Sequence, residues 1–239
     1  MSPKTRKYLR IAGISLAGLA VGVAVAECCV VLPPRLALSS YMRGHSIRKL
    51  QIGAGGYHPD GWLNTDIEPS AGEMFLDASK PFPIPDGSFD YVFAEHVIEH
   101  ISYWDAPTTL GECHRILRPG GKIRIATPNL LKLVKLFQQD KSDEERNYIA
   151  GKTAVQHWPA GAVPETVILN LELRLFGHQF VYDPATLRDL LARAGFADIA
   201  EFRPGESDDP ALSGLELRHK SYVQPVNDYE TMVFEAVRR

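Results

Sequence analysis

The apolar positions of this chain change their period as the sequence proceeds. Residues 11–26 carry no charge, Glu27 interrupts, and the apolar run resumes at 28–32 before Pro33 and Pro34. As a helix, 11–32 would be about 33 Å long, enough to cross a bilayer core. Residues 33–46, with prolines, serines and a glycine, read as a linker. From Ile47 onward short strand-like runs alternate with helix-like runs. Strands are expected at 48–52, 62–67, 73–76, 89–94, 122–127 and 230–237. A helix is expected over 105–117, where Leu110, Cys113 and Leu117 recur at helical spacing and Pro119-Gly120-Gly121 ends it. Asp183 caps another, with Pro184 at its first position, Leu187, Leu190, Leu191 and Ala194 on its buried stripe, and Gly195 past its end. Strands alternating with helices predict an α/β fold: a doubly wound, mostly parallel sheet with helices on both faces. Its ligands would sit at the carboxyl ends of the strands.

Composition narrows the partners. The 239 residues are 45% hydrophobic and 23% charged, with a formal net charge of −3. That suits one globular core and gives no field-driven attraction to nucleic acid, so none is expected as a partner. Three cysteines, Cys28, Cys29 and Cys113, show no disulfide spacing. Cys113 reads as a small core residue on its helix. The segment at 11–32 follows Lys4, Arg6, Lys7 and Arg10. It fits a membrane anchor, a cleaved signal with Ala24-Val25-Ala26 at its cleavage site, or a buried helix of small residues. The anchor is the favoured reading, with a cytoplasmic catalytic domain behind a single N-terminal helix. Arg35, Arg43, Arg48 and Lys49 balance the other flank, so charge does not set the orientation.

Five places at strand ends carry candidate chemistry. Gly53-Ala54-Gly55-Gly56 follows the first strand and lets the backbone approach a ligand. A nicotinamide fingerprint would need glycine where His58 stands. Asp66, ending the second strand, can accept both hydroxyls of a ribose, or simply cap a turn. Asp77-Ala78 after the third suits an adenine amine and ring edge, or a turn. Glu95-His96 ends the fourth strand and leads into Val97-Ile98-Glu99-His100. Residues 117–122 (LRPGGK) turn into the fifth.

Residues 50–67 (LQIGAGGYHPDGWLNTDI), 88–101 (SFDYVFAEHVIEHI) and 117–129 (LRPGGKIRIATPN) together resemble the class I S-adenosylmethionine (SAM)-dependent methyltransferases. They are most similar to a bacterial subgroup linked with polysaccharide and small-molecule biosynthesis, and 178–196 and 230–237 share the likeness. The resemblance covers the chain from about residue 48. It implies a Rossmann-like seven-stranded sheet in a domain at 47–239, behind an N-terminal segment and linker at 1–46. It implies SAM as cofactor, with Gly53, Ala54 and Gly55 along its methionine part, Asp66 on the ribose, Asp77 and Ala78 at the adenine, and Glu95 and His96 beside the mouth. Three departures stand out. Gln51 occupies a position usually acidic in the superfamily. The span from Gly53 to Asp66 is too short for the usual first helix. Tyr57 follows the glycines where another glycine is common.

Methyl transfer needs an in-line acceptor in a dry site and, for an oxygen acceptor, a base. His96 is the first candidate base, His100 the second, with Glu99 orienting either; His178 is a candidate wall of the acceptor site. Each histidine also has a plain structural reading. Residues 138–177 break the strand–helix alternation and read as an inserted lid over the site. The expected activity is methyl transfer to a small-molecule, sugar or lipid-linked acceptor, with no resident metal. Two rivals stand beside it. One is an inactive module of the same fold that binds SAM or a partner. The other is a zinc peptidase, because His96-Val97-Ile98-Glu99-His100 matches H-x-x-E-H.

Overall fold

In the computed structural model, residues 33–155, 163–216 and 224–239 are described. The apolar segment at 11–32, Cys28, Cys29 and His157-Trp158-Pro159 lie outside them. Among the described residues no helix is long and apolar enough to cross a membrane.

Seven strands form one sheet: β1 (Lys49–Ile52), β2 (Trp62–Asp66), β3 (Met74–Phe75), β4 (Phe89–Glu95), β5 (Leu117–Pro128), β6 (Phe196–Phe202) and β7 (Thr231–Arg238). Their order is β3-β2-β1-β4-β5-β7-β6. The β1–β2, β1–β4, β2–β3 and β4–β5 pairs are parallel, whereas β7 runs antiparallel between β5 and β6. The expected doubly wound, mostly parallel architecture with seven strands is therefore present. The order reverses between β1 and β4, and ligands of such sheets gather at that reversal.

Alternation within the strands sorts the two faces. Leu50 and Ile52 on β1 and Val92 and Ala94 on β4 join the main core with α2 (Ala106–Ile116) and α6 (Pro184–Arg193). Cys113 is buried in that core, and burial pushes its thiol up to about 12. Asp183 caps α6 as expected, its Oδ1 accepting from the N–H groups of Ala185 and Thr186 at 2.9 and 3.0 Å. On the opposite face Trp62, Phe93, Leu212 and Leu215 cluster beside a fully buried Arg124. The Arg124 guanidinium grips Glu216 through Nε at 2.6 Å and Nη2 at 2.7 Å, and reaches Glu235 Oε1 at 2.5 Å.

Two expectations need correcting. The linker at 33–46 is largely helical: α1 (Pro34–Gly44) starts at Pro34, whose missing N–H costs nothing at the first position of a helix. Leu38 and Tyr41 sink into the main core, and the Tyr41 hydroxyl meets the Gly61 carbonyl at 2.8 Å and the Lys49 N–H at 2.8 Å. The domain thus begins before residue 47. Secondly, Pro119-Gly120-Gly121 does not separate α2 from the fifth strand: β5 runs continuously from Leu117 to Pro128. Between β1 and β2 there is only a turn, as the short span required.

Residues 138–177 hold two helices, α4 (Asp143–Val155) and α5 (Pro164–Arg174). With α3 (Leu130–Lys135) and α7 (Gln224–Glu230) they build a second core around Leu133, Tyr148, Ile168 and Tyr229. Lys152 of α4 bridges Glu172 of α5 at 2.8 Å and Glu230 at 2.7 Å, and the Tyr148 hydroxyl donates to Glu230 at 2.6 Å. The helical cap is thereby fastened to the start of β7.

Candidate active site

A cleft of about 390 Å³ opens at the carboxyl ends of β1, β2 and β4, a size suited to a nucleoside-scale ligand. Gly53, Gly55, Asp66, Asp77, Ala78, His96 and His100 line it. Two other expected residues do not: Ala54 is fully buried, its N–H bonded to the Thr65 carbonyl at 2.9 Å, and Glu95 is buried on the other side of β4. Glu95 is therefore not among the residues that line the cleft. Glu95 is the last residue of β4, whereas His96 already lies in the turn that follows, with φ of +51°, so the chain changes direction between them. His178 does not line the cleft, but its ring packs edge-on against His100 with centroids 4.8 Å apart.

The glycine loop is shaped by more than flexibility. Gly53 has φ of +66°, and an ideal Cβ there would stand 2.4 Å from Cγ2 of Val97. A side chain would be strained and would collide with the residue that forms the opposite wall. Gly53→Ala is expected to cost about 1–3 kcal/mol of stability through that strain and overpacking. Thermal melting checks it; an unchanged melting temperature would mean that Val97 simply moves aside.

Asp66 ties the loop to β2. Its Oδ2 accepts from the Gly55 N–H at 3.0 Å and its Oδ1 from the Glu68 N–H at 2.9 Å. Each carboxylate oxygen keeps a second lone pair for a ligand hydroxyl. Asp77 uses Oδ1 for both the N–H and the hydroxyl of Ser79, at 2.9 and 2.6 Å. Ile67, 60% exposed directly after Asp66, gives the cleft an apolar wall. These features fit SAM: two carboxylates for a ribose and an adenine edge, apolar walls for a ring, and a side-chain-free loop. Gln51, by contrast, is fully buried and does not line the cleft; among the described residues its amide has no hydrogen-bond partner. The Asn64 beside it in register is buried too.

Past β4 the chain makes a sharp turn. His96 has φ of +51° and precedes a 3-10 turn (Ile98–His100). The ring of His96 places Nδ1 2.9 Å from Glu99 Oε1, and the Thr127 hydroxyl donates to Glu99 Oε2 at 3.0 Å. Burial alone would lower the pKa of His96, but the hydrogen bond and charge of Glu99, with Glu230 and Glu95 behind it, raise it to about 9. The same contacts hold Glu99 below the usual carboxylate range despite burial. These contacts favour the protonated form of His96, which weakens its case as a base. His100 shifts the other way: burial lowers it, and neighbouring His178 and His96 add to that, against the charge of Glu99. Of the expected pair, His100 is the one whose neutral form the surroundings favour. The 3-10 geometry also removes the basis of the peptidase reading, which needs His96 and His100 one α-turn apart on a regular helix.

Sequence reasoning missed Ile67, Leu76, Ser79, Val97, Ile101, Ser102, Asp105 and Gln179 of the cleft. Ile67, Ser79 and Val97 each adjoin a residue that was singled out, so the strand-end rule could have reached them. Gln179 adjoins His178, which was also singled out, but no strand end marks it: it arrives from a distant segment, its Nε2 donating to the His100 carbonyl at 2.6 Å.

Comparison with known proteins decides the family. A family model described as a methyltransferase domain matches residues 20–201, most of the chain. The chain belongs to the methyltransferase domain family. The methyltransferase family expected from the motifs is thereby borne out. A probable SAM-dependent methyltransferase of Mycolicibacterium smegmatis is 49% identical over 47 residues, 20% of this chain and 18% of that protein. One from Mycobacterium tuberculosis (strain H37Rv) is 45% identical over 47 residues, 20% of this chain and 16% of that protein. The aligned stretch thus spans less than a fifth of the curated relatives. Among solved structures, a SAM-dependent methyltransferase of Thermotoga maritima, described as a possible histamine N-methyltransferase, shares 18% identity at a TM-score of 0.48. That match covers 86% of this chain and 90% of the other.

Proposed function

We propose that this methyltransferase-domain chain transfers the methyl group of SAM to a small-molecule, sugar or lipid-linked acceptor. The observation that carries the reading is the meeting, in one cleft, of the loop after β1 with the carboxylates that follow β2 and β3. When bound, SAM supplies an electrophilic methyl group on a sulfonium. The chain must then orient the acceptor and exclude water, which is where most of the acceleration arises. Asp66 is assigned to the ribose hydroxyls, Asp77 and Ala78 to the adenine edge, and Gly53 and Gly55 to the close approach of the methionine part. His96, engaged at Nδ1 by Glu99 and at Nε2 by the Thr231 hydroxyl, would hold the turn beside the cleft, and His100 would take a proton from an acceptor hydroxyl. The cap of α4 and α5 is assigned the lid role, in keeping with its fastening at Lys152.

Calorimetry of the full chain with SAM tests the reading. One site of micromolar affinity is expected, and a folded chain that binds no SAM would sink it. Binding with no transfer to any hydroxylated or lipid-linked acceptor would move the reading to an inactive module of the same fold. We also assign the domain to the cytoplasm, tethered through 11–32, since that apolar stretch, broken only by Glu27, has the length of a membrane span. Fractionation checks this: the full chain should sediment with membranes and a chain lacking 1–32 should not.

A further inference from the structure

We propose that Glu99, His100 and His178 form a binding site for one divalent first-row transition-metal ion at the edge of the cleft. Candidate ligand atoms of the three side chains lie within 4.8 Å of one another. Tetrahedral coordination at bond lengths near 2.0–2.1 Å needs donors about 3.3 Å apart. Metal binding would draw the three donors inward to that spacing. Two imidazoles and a carboxylate suit zinc, cobalt, iron or manganese better than magnesium or calcium, which favour all-oxygen sites.

The orientation of the three groups supports the assignment. His178 Nδ1 lies 2.5 Å from the Glu172 carbonyl oxygen. A carbonyl only accepts, so Nδ1 carries a proton, and Nε2 is the nitrogen available to a metal ion. A backbone carbonyl behind a histidine is the usual outer support of a metal ligand. His100 in turn contacts the Gly177 backbone. Glu99 is fixed on both oxygens, by His96 and by Thr127, and each oxygen retains a lone pair.

The scaffold is also rigid where it needs to be. The N–H groups of Gln179 and Phe180 both donate to the Glu99 carbonyl, at 2.7 and 3.1 Å. With the Gln179 bond to the His100 carbonyl, three hydrogen bonds pin His178 beside residues almost eighty positions earlier. Such bracing is what a metal template requires. Of the three ligands His100 lines the cofactor cleft, so the site would meet the cleft at that residue. On the methyltransferase reading, an ion there would hold an acceptor oxygen and lower the pKa of its hydroxyl, replacing the base role given above to His100, whose lone pair it would occupy. Metal binding itself does not depend on that reading.

The test is a titration of the full chain, stripped with a chelator, with Co²⁺ in the absence of SAM and acceptor. Visible d–d bands should grow and saturate at one equivalent. His100→Gln and His178→Gln should each weaken binding at least about tenfold, given what ligand-shell changes cost. His114→Gln, which alters a ring packed on Phe196, should leave it unchanged. Melting curves run alongside establish that each variant is folded; if one is not, the other alone decides. No bands with a folded wild-type chain, or bands kept in a folded cluster variant, would overturn the proposal. SAM calorimetry on the same metal-free protein reports separately on the methyltransferase reading.

Discussion

Asp66→Ala should weaken SAM binding by roughly two decades while leaving the chain folded. The carboxylate is the polar group best placed for a ribose, and hydrogen bonds to a charged acceptor contribute about 1.5–3 kcal/mol each. Losing two of them, with some compensation by water, gives about 3 kcal/mol, or roughly a hundredfold in Kd. Part of the effect acts through the loop, since Asp66 also holds the Gly55 N–H. Asp66→Asn separates the contributions. It keeps one acceptor oxygen and should fall between wild type and alanine. Calorimetry with SAM reads both variants, and an alanine variant that binds as tightly as wild type would remove Asp66 from the cofactor site.

The second large effect lies outside the cleft. Arg124→Met should lower the melting temperature by about 10 °C, because breaking a buried ion pair costs about 3–5 kcal/mol. The guanidinium is completely buried, and its loss would strand Glu216 and Glu235 without a cation. Gly205 and Glu206 are drawn into the same cluster, through the Gly205 N–H on Glu216 at 2.7 Å and the Glu206 carbonyl on Arg124 at 2.9 Å. Removing all three charges together, with Glu216→Leu and Glu235→Leu added, should recover much of the loss, since the desolvation penalty then disappears as well. Circular dichroism melts of the single and triple variants check both statements. A fall of less than about 3 °C for Arg124→Met would mean that water reaches the cluster.

The sheet was legible in the sequence because its strands are short, apolar and bounded by glycine, proline or aspartate. β1, β2 and β4 fall within a residue of the expected limits. α1 was not legible: proline, serine and glycine suggest a linker, and only burial of Leu38 and Tyr41 against the sheet makes that stretch a helix. Tertiary packing there overrides local preference. β6 was missed for a related reason. Most of its side chains remain partly exposed, so no clear alternation marks it. In the site, the residues that touch the cofactor cleft from strand ends could be named, because position along a strand is a local property. The charge state of His96 could not. It depends on Glu99, Glu230 and Glu95 converging on a buried ring, and that convergence exists only in the folded chain. The partnership of His100 with His178 is equally non-local.

The place of β7 has a consequence for how the protein is made. This strand, at residues 231–238, lies between β5 and β6 and supplies the neighbour that both require. During synthesis β5 would emerge with one edge open, and it would stay open for more than a hundred residues of further translation. An unpaired, apolar strand edge is a template for pairing with other chains. The nascent protein therefore passes through a long interval in which a ribosome-associated chaperone, or simple slowness of encounter, must guard that edge. Chains stalled short of residue 231 would be the aggregation-prone products.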